Sequence, residues 1–599
     1  MTKKPPEQSI KRAETRCENC NEVSTSFAEY QAKLFRCNYA GRKEGSVKVC
    51  RRCADCYEAR KKAADDIRSS TKPKKLIVAG PGTGKSFMFG LLLQDISRDR
   101  PSLVFTLINN LVDQLKRDVA KLENDQIKVN TLHGFCKETL HKSIALDDID
   151  PHFEYLPLLP LLIEADASFV GEKFADDDFQ SDLANLNENS PALEFYLHQS
   201  AYYNAVSHSD SVYRVFRFYR GNPVEIPSYE IIIVDEYQDF NLLEASFVQH
   251  LATKSNIVIA GDDDQSVYGF RHASNKYIRE LWRLDDFEKF RLPFCSRCTP
   301  VLVEAANAFI VNIQKYGLLE GRIDRDFECY WPDKHAEHNN HPLLVIAECS
   351  TLKTVCQFVK ARIVQLSKQE GLDRSEDDLQ FLIIGPEAQY HLDAVEKCLS
   401  ADLDMSLFEI EDPKKKEPVT IEDGYRILRE GHNFNLGWRI VLSCDSSKDL
   451  PEIIQKSYKT GIALEKLLPA DYVAKHRKAI AEQPKDDEVQ NIPEPPKRIR
   501  IKLTNFYGSK GLSALHTIVI GLNNNIFPKN PGQLNDDEAC KFIVALTRAR
   551  RSCCLVTNGE FDKSKKRTSN SPSRYMQLLP DKIKDSKRYG ISHGELVER

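Results

Sequence analysis

Residues 74–86 read KKLIVAGPGTGKS, and this stretch decides the fold. The apolar run 74–79 before a Gly-rich turn is typical of a buried parallel strand. The glycines allow the backbone to wrap a polyphosphate with its N–H groups pointing inward, although Ala79 stands where the strict pattern has glycine. Lys85 would reach the β and γ phosphates, and Ser86 would ligate Mg²⁺ at the positive end of the next helix. The predicted nucleotide contacts are Gly80, Pro81, Gly82, Thr83, Gly84, Lys85 and Ser86.

An acidic pair follows a second apolar run and would complete this site. Asp235 and Glu236 come directly after 231–234 (IIIV). Asp235 would hold Mg²⁺ through water, and Glu236 would orient and deprotonate the attacking water. Adjacent carboxylates at the end of a buried strand are costly unless a metal or another partner compensates them. The two segments together predict an ATP and Mg²⁺ site in which catalysis is positioning plus electrostatics.

The rest of the chain continues this alternation of short apolar runs and helical patterns. Runs of strand length occur at 103–107, 257–260, 343–347, 381–385 and 518–521. The alternation predicts an α/β fold with parallel sheets. The chain has 599 residues, 41% of them hydrophobic, which is enough for several domain cores. Residues 141–224, which are aromatic-rich and mostly helical in pattern, and residues 401–497 interrupt the alternation.

Composition and charge narrow the function classes only in part. A net charge of −4 and a pI of about 6.5 do not indicate nucleic-acid binding, which would therefore use local basic grooves. The polar start MTKKPPEQSI has no apolar segment of signal-peptide length, and no uncharged apolar run approaches the length of a membrane span. We therefore expect a cytoplasmic protein with no membrane partner and with reduced thiols.

Six of the 17 cysteines lie within residues 17–56 at spacings typical of a zinc site. Two CxxC pairs would each place two thiolates on a tight turn, and the favoured Zn²⁺ ligands are Cys17, Cys20, Cys50 and Cys53. Cys37 or Cys56 could replace one of these four, and a second ion is an open alternative. An iron–sulfur cluster is the main rival, because it also takes four thiolates. Cys295 and Cys298 form another CxxC, which we interpret as packing.

Residues 261–271 (GDDDQSVYGFR) carry a specific resemblance. They resemble motif III of the UvrD/Rep/PcrA family of superfamily 1 helicases, and further segments resemble that family's motifs in the same order. Those segments are 109–115, 131–135, 297–307, 509–512, 544–550 and 572–575. The resemblance covers residues 74–580 and is weakest at 141–224 and 308–500. It implies that Gln265 senses the γ phosphate and that Phe270 stacks on a base of a single strand.

The same resemblance implies two RecA-like motor domains with ATP in the cleft between them. Arg297 and Arg548 would reach across this cleft and stabilise the developing charge. The implied catalytic residues are Lys85, Asp235, Glu236, Gln265, Arg297 and Arg548, of which Gln265 and the two arginines also contact the nucleotide. The implied nucleic-acid contacts are Asn109, Thr131, His133, Tyr268, Phe270 and Arg271.

These patterns predict an α/β chain of two RecA-like parallel-sheet motor domains with mainly helical insertions and a small zinc-binding N-terminal domain. The expected division is 1–70 for the cysteine module and its helix, 71–140 with 225–289 for the first motor domain, 141–224 for a helical insertion, 290–400 with 498–599 for the second motor domain, and 401–497 for a reduced insertion of the second domain.

Base recognition departs from the family pattern. No glutamine that would read adenine occurs between residues 54 and 75, and Ser296 stands where a tyrosine usually stacks on adenine. Ser513 replaces a glutamate that helps to hold the nucleotide, Tyr507 replaces a histidine, and Leu107 replaces an aromatic residue that contacts single strands. These departures predict a looser preference for ATP over other nucleoside triphosphates.

The leading functional hypothesis is an ATP-driven helicase or translocase that acts on single-stranded or tailed DNA, with a 3′ to 5′ direction by resemblance. The alternative is a DNA-gated ATPase switch or sensor that acts with a protein partner and does not unwind processively. The reduced insertion and the cysteine module keep that alternative open. The tail has no nuclease motif, so any nuclease would be a separate partner chain.

Overall fold

The computed structural model describes residues 16–24, 26–31, 46–106, 109–142, 149–372, 379–387, 389–411, 419–445, 449–482, 498–558 and 571–598. Within these residues, no helix has both the length and the apolar character needed to cross a membrane.

The described strands are β1 (Phe27–Gln31), β2 (Ser46–Cys50), β3 (Lys74–Ala79), β4 (Ser102–Phe105), β5 (Ile127–Asn130), β6 (Glu154–Tyr155), β7 (Ala205–Val206), β8 (Ile231–Val234), β9 (Asn256–Gly261), β10 (Glu288–Leu292), β11 (Phe294–Cys295), β12 (Glu328–Cys329), β13 (Leu344–Cys349), β14 (Leu379–Gly385), β15 (Phe408–Glu411), β16 (Ile499–Asn505), β17 (Ala514–Val519), β18 (Ala549–Asn558), β19 (Lys584–Ser592) and β20 (Glu595–Glu598).

The described α-helices are α1 (Arg51–Ser69), α2 (Lys85–Gln94), α3 (Asn109–Ala120), α4 (Leu132–Lys142), α5 (Leu159–Val170), α6 (Asp176–Ala184), α7 (Pro191–Tyr203), α8 (His208–Gly221), α9 (Leu242–Leu251), α10 (Lys276–Arg283), α11 (Pro300–Gln314), α12 (Trp331–Asn340), α13 (Leu352–Gln369), α14 (Tyr390–Asp402), α15 (Ile421–Glu430), α16 (Phe434–Cys444), α17 (Leu450–Thr460), α18 (Leu464–Leu467), α19 (Ala470–Glu482), α20 (Asp536–Leu546) and α21 (Arg574–Gln577).

The first large sheet is parallel throughout and has the strand order β10-β3-β9-β8-β4-β5. The apolar strands β3 and β8 lie inside it and are almost entirely buried, as expected for strands covered on both faces. The carboxyl ends of parallel strands meet at one edge of a sheet. The turn after β3 and the acidic pair after β8 are therefore brought to the same edge.

The second large sheet has the order β15-β16-β14-β17-β18-β13-β19-β20 and is parallel except for the final antiparallel pair β19–β20. The runs predicted at 343–347 and 381–385 form β13 and β14, and the run at 518–521 begins within the end of β17. The predicted α/β fold with mainly parallel sheets and many helices is confirmed.

Two strands lie in a different sheet from the one expected. The sequence predicts that the second α/β unit begins at residue 290, yet β10 pairs with β3 and belongs to the first sheet. It also predicts that residues 401–497 form an insertion, yet β15 pairs with β16 at the edge of the second sheet. Both strands mix charged and apolar residues (EKFRL and FEIE), so no apolar run marks them.

The two interrupting regions pack on each other. Residues 149–221 contribute α5–α8, and residues 421–482 contribute α15–α19. Their apolar side chains share one core, with Trp438 buried at its centre. Buried Arg439 donates to Asp166 across this interface at 2.6 Å, so the interface also contains a compensated ion pair.

The cysteine-rich module is small and closely tied to the rest of the chain. β1 and β2 form an antiparallel pair, and α1 begins directly after β2. Helix α1 then runs toward β3 and packs on α2, α12 and β10. The module therefore contacts elements of both the first sheet and the second half of the chain.

Candidate active site and metal centre

The turn after β3 has the backbone conformation expected of a phosphate-binding loop. Gly82 and Gly84 have φ values of +68° and +97°, which favour glycine. A Cβ on Gly82 would lie 2.3 Å from the Cβ of Arg297, and one on Gly80 would lie 2.8 Å from the ring of Phe327. Glycine is therefore required here by both conformation and the close approach of the second half of the chain.

Lys85 begins α2 and points toward the acidic pair. Its Nζ lies 3.3 Å from Oε1 of Glu236. Burial alone would lower the pKa of Lys85, but the neighbouring carboxylates of Glu236, Asp235 and Asp262 raise it above the ordinary value. The lysine is therefore held as a cation at the mouth of the loop.

The adjacent carboxyl groups of Asp235 and Glu236 have different pKa values. Burial and the neighbouring Glu236 raise the pKa of Asp235 to about 7. Burial would also raise the pKa of Glu236, but Lys85 and Lys510 lower it to about 2. Glu236 has φ +54°, and its Oε2 accepts a 2.6 Å hydrogen bond from Nε2 of Gln238. Glu236 is thus an oriented carboxylate, as a residue that positions water requires.

Gln265 connects the two halves of the chain. Its Oε1 accepts a 2.6 Å hydrogen bond from Nη2 of Arg548, and its Nε2 donates to Asp262. Its backbone carbonyl accepts from Nζ of Lys510, which also forms an ion pair with Asp239. Gln265, Asp262 and Asp239 belong to the first half, whereas Arg548 and Lys510 belong to the second, so polar contacts span the cleft.

The two predicted arginines reach the cleft from the second half. Arg548 is buried just before β18 and donates from Nε to the carbonyl of Val544 at 3.0 Å. Burial and the nearby charge of Arg297 lower the pKa of Arg548 to about 10. The Ser296 amide donates to the carbonyl of Gly82 at 2.9 Å, which brings Arg297 directly against the loop.

Sequence reasoning missed several residues that hold this site together. Lys510 lies within the matching segment 509–512 without an assigned role, and Gln238 and Asp239 follow the acidic pair without a pattern of their own. Arg325 lies in none of the matching segments, yet it is buried and pairs with all three aspartates of 262–264. A buried acidic run needs a compensating cation, so the DDD sequence itself was the available clue.

An aromatic surface adjoins the cleft. Phe270 is 62% exposed, and its ring lies 4.9 Å from that of Tyr507 in an edge-to-face arrangement. Tyr268 lies 6.0 Å from Phe270 and under Nζ of Lys510, while Arg271 is exposed next to it. The predicted contacts Tyr268, Phe270 and Arg271 are therefore brought together near the cleft.

The other predicted nucleic-acid contacts, Asn109, Thr131 and His133, lie at the starts of α3 and α4 and not in the segment 261–271. The Thr131 side chain accepts from the amide of Gly134 at 3.0 Å at the start of α4. His133 is buried and stacks on His208 with ring centroids 3.7 Å apart, so its ring is directed into the protein. Asn109 begins α3, but its side chain lies outside the described residues.

Four of the six clustered cysteines converge on one point. The Sγ atoms of Cys17, Cys20, Cys50 and Cys53 all lie within 4.8 Å of one another, and all four residues are buried. The amides of Cys20 and Cys50 donate to Sγ of Cys17 at 3.4 and 3.1 Å. Four buried thiols at this spacing fit a tetrahedral Zn²⁺ ion. Cys56 lies outside this group, and Cys37 lies outside the described residues.

The cysteine cluster packs on α12. Trp331 belongs to the same apolar cluster, and the guanidinium of Arg52 lies 3.6 Å from the centre of its ring. Nδ2 of Asn19 donates to the carbonyl of Pro332 at 3.2 Å. These contacts fasten the module to α12 in the second half of the chain.

Fold and site together describe an α/β protein with two large, mainly parallel sheets and a candidate phosphate-binding loop at the edge of the first. The family model described as the UvrD/REP helicase N-terminal domain matches residues 59–158 and 163–284. The chain is 22% identical over 638 residues to the ATP-dependent DNA helicase PcrA of Staphylococcus aureus (strain MRSA252), covering 87% of this chain and 86% of the relative. It is 22% identical over 345 residues to the probable DNA helicase II homolog of Mycoplasma capricolum, covering 49% and 45%. Residues 59–284 therefore resemble the UvrD/REP helicase N-terminal domain, and most of the chain is similar to PcrA helicases at low identity.

Proposed function

We propose that this protein is an ATP-dependent DNA helicase or translocase that moves 3′ to 5′ on single-stranded DNA. The observation that carries the proposal is the segment 261–271. Gln265 of this segment contacts Arg548 in the cleft. Phe270, five residues further along the chain, is exposed on the aromatic surface. A change in the cleft would therefore be transmitted to a base-stacking residue through one short segment. The relative from Staphylococcus aureus is named ATP-dependent DNA helicase PcrA, and this name agrees with the proposed function.

The nucleotide would bind in the cleft with its phosphates at the loop 80–84. The loop amides and Lys85 would hold the phosphates, while Ser86 and Asp235 would hold Mg²⁺, which neutralises phosphate charge when bound. Lys85 pairs with Glu236 in this structure. Moving Lys85 to the phosphates would release the Glu236 carboxylate to orient and deprotonate the attacking water.

The second domain would complete the site across the cleft. Arg297 lies against the loop and Arg548 contacts Gln265, so both can approach the terminal phosphate when the cleft closes. Such arginines can contribute about 10³–10⁵ in rate. Lys510 reaches both the Gln265 carbonyl and Asp239, and would make closure and opening cooperative. Alternate closing and opening would move the two domains along a strand.

The aromatic surface is suited to a strand of any sequence. The exposed ring of Phe270 lies edge-to-face with Tyr507, and base–aromatic stacking contributes about 1–3 kcal/mol per base with little sequence preference. A motor that steps along DNA needs this tolerance. The chain's negative net charge is consistent with such a local contact surface.

The cysteine module would hold one Zn²⁺ through Cys17, Cys20, Cys50 and Cys53. The ion would supply much of the folding free energy of a segment with few large apolar residues. Because the module packs on Trp331, its role would be to stabilise α12.

ATP hydrolysis with and without single-stranded DNA tests the proposal, with Glu236→Gln compared against the intact protein. We expect strong stimulation by DNA that the substitution abolishes, followed by unwinding of a duplex with a 3′ tail and not of one with a 5′ tail. Hydrolysis indifferent to DNA would overturn the proposal. Stimulated hydrolysis without strand displacement would favour the DNA-gated switch.

A further inference from the structure

Three metal-ligating side chains converge at the amino-terminal edge of the second sheet, away from the cysteine cluster. His341 precedes β13, Glu370 follows α13, and His516 lies in β17. Oε1 of Glu370 is 2.7 Å from Nε2 of His341 and 3.2 Å from Nε2 of His516. One ligand atom from each lies within 4.8 Å of the others, although the residues come from three separate segments of the chain.

Neighbouring groups fix the direction of these ligands. Nδ1 of His516 lies 2.8 Å from Oγ of Ser552, and Nη1 of Arg551 lies 2.7 Å from the second carboxylate oxygen of Glu370. These contacts leave Nε2 of His516 and Oε1 of Glu370 facing the same point. Metal-ligating histidines are commonly oriented in this way by a hydrogen bond to their other ring nitrogen.

One of the three ligand atoms is buried without a hydrogen bond. His516 is 1% exposed, and its Nε2 has no hydrogen-bond partner among the described residues. It approaches Glu370 at 3.2 Å, but outside hydrogen-bond geometry. Buried polar atoms are rarely left in this state, because losing water without a replacement partner is costly. A cation held between the two groups would satisfy this nitrogen.

The cluster is also accessible to an ion from solvent. A pocket of about 610 Å³ is lined in part by His341, Glu370 and Arg551. The side chains of His341 and Glu370 are partly exposed, whereas His516 forms the buried end of the cluster. An entry path and room for a bound water are both present, as an exchangeable site requires.

We propose that His341, Glu370 and His516 form a second metal site, which binds a divalent transition metal. Two imidazoles and one carboxylate fit Zn²⁺ with water as the fourth ligand. The site also adjoins the strands that position Arg548, because the Ala514 amide at the start of β17 donates to the Arg548 carbonyl at 3.1 Å. Bound metal would hold the beginnings of β17 and β18 together. This inference does not depend on helicase activity.

Metal content of the full chain tests the site. The protein is stripped with a chelator, reloaded with Zn²⁺ alone, and freed of unbound ion before bound zinc is counted. A Cys53→Ser background removes the cysteine site, and Glu370→Gln and His516→Gln are made in that background. We expect one zinc per chain in the background protein and none in the triad variants. His593→Ala, in an exposed turn, is the control and should keep one.

Cobalt provides a second readout that separates the sites. Co²⁺ bound at the triad should give weak visible bands without the thiolate-to-metal charge-transfer band of a cysteine site. These bands should disappear in His341→Ala, which alters a partly exposed turn and leaves the buried His516 in place. If the triad variants only lower the Tm and leave the metal content and spectra unchanged, the cluster is a hydrogen-bonded structural element and the proposal is overturned.

Discussion

Nη2 of Arg548, from the second parallel-sheet domain, donates a 2.6 Å hydrogen bond to Oε1 of Gln265 in the first. Gln265 is also bonded to Asp262 and to Lys510. The arginine therefore acts as a contact between domains as well as a charge in the cleft. Lysine at this position keeps a positive charge but loses the planar guanidinium, so it should impair both roles.

Arg548→Lys should lower the turnover number for ATP by roughly 10³-fold, the lower end of the effect of an arginine finger. The KM for ATP should change much less, because the loop and Lys85 hold the phosphates. Steady-state kinetics at saturating single-stranded DNA measure both values. Arg550→Lys, two residues further along β18, is the matched control and should retain activity. If the two variants had equal kinetics, Arg548 would have no specific role in hydrolysis.

At saturating Mg²⁺ and ATP, where bound Mg²⁺ would keep Asp235 ionised, activity should fall as the pH drops through about 6, because that is where Asp239 becomes protonated. Burial raises the pKa of Asp239 to about 6, against the opposing effect of Lys510. Glu236 also raises it and Arg271 lowers it. Above pH 6 Asp239 is ionised and pairs with Lys510 across the cleft, and below pH 6 the neutral form loses this ion pair.

Asp239→Asn provides the control for this pH dependence. The variant should have reduced DNA-stimulated hydrolysis at pH 8, and the fall centred near pH 6 should be absent. Rate profiles of the intact protein and the variant, at saturating ATP and DNA, measure the difference. Identical profiles would show that the Asp239–Lys510 ion pair does not govern the rate.

Removal of zinc should unfold the cysteine module and loosen its packing on Trp331. Structural zinc contributes about 10–16 kcal/mol to the folding of small zinc peptides, so the module should not remain folded without its ion. Cys53→Ser should lose bound zinc, lower the Tm and increase proteolysis near α1. Cys56→Ser should retain zinc, because Cys56 lies outside the cluster. Loss of zinc in Cys56→Ser as well would contradict the assigned ligand set.

The preference for ATP over GTP should be less than about tenfold in kcat/KM, which corresponds to about 1.4 kcal/mol. Ser296 lies against the loop in place of a stacking tyrosine, so discrimination between bases loses one of its usual contacts. Competition between the two nucleotides under DNA-stimulated conditions measures the ratio. A preference of several orders of magnitude would show that other residues read the base.

Much of the fold followed from local patterns. The loop at 80–84 and the pair Asp235–Glu236 could be located because apolar runs precede them and their spacing is specific. β10 and β15 could not, because edge strands with charged residues carry no apolar run. Which four cysteines converge depends on the pairing of β1 with β2, which spacing does not determine.

Long-range contacts were beyond sequence reasoning. Arg325 neutralises aspartates about 60 positions earlier, and His516 meets Glu370 only because α13 packs on the second sheet. His133 matched a motif, yet its burial against His208 depends on how α4 packs on α8. Motifs therefore indicated which residues form the candidate site, but they did not indicate what surrounds each side chain.

Stimulation of ATP hydrolysis by single-stranded DNA, in Phe270→Ala and in Phe434→Ala, tests the central claim most directly. Phe434 is also exposed, at 45%, but begins α16 in the helical region and is not part of the segment 261–271. Loss of one base-stacking contact of about 1–3 kcal/mol should raise the DNA concentration for half-maximal stimulation by roughly 5- to 150-fold in Phe270→Ala. Phe434→Ala should match the intact protein. If both variants gave the stimulation curve of the intact protein, the segment would not couple the cleft to a DNA strand, and the motor account would be contradicted.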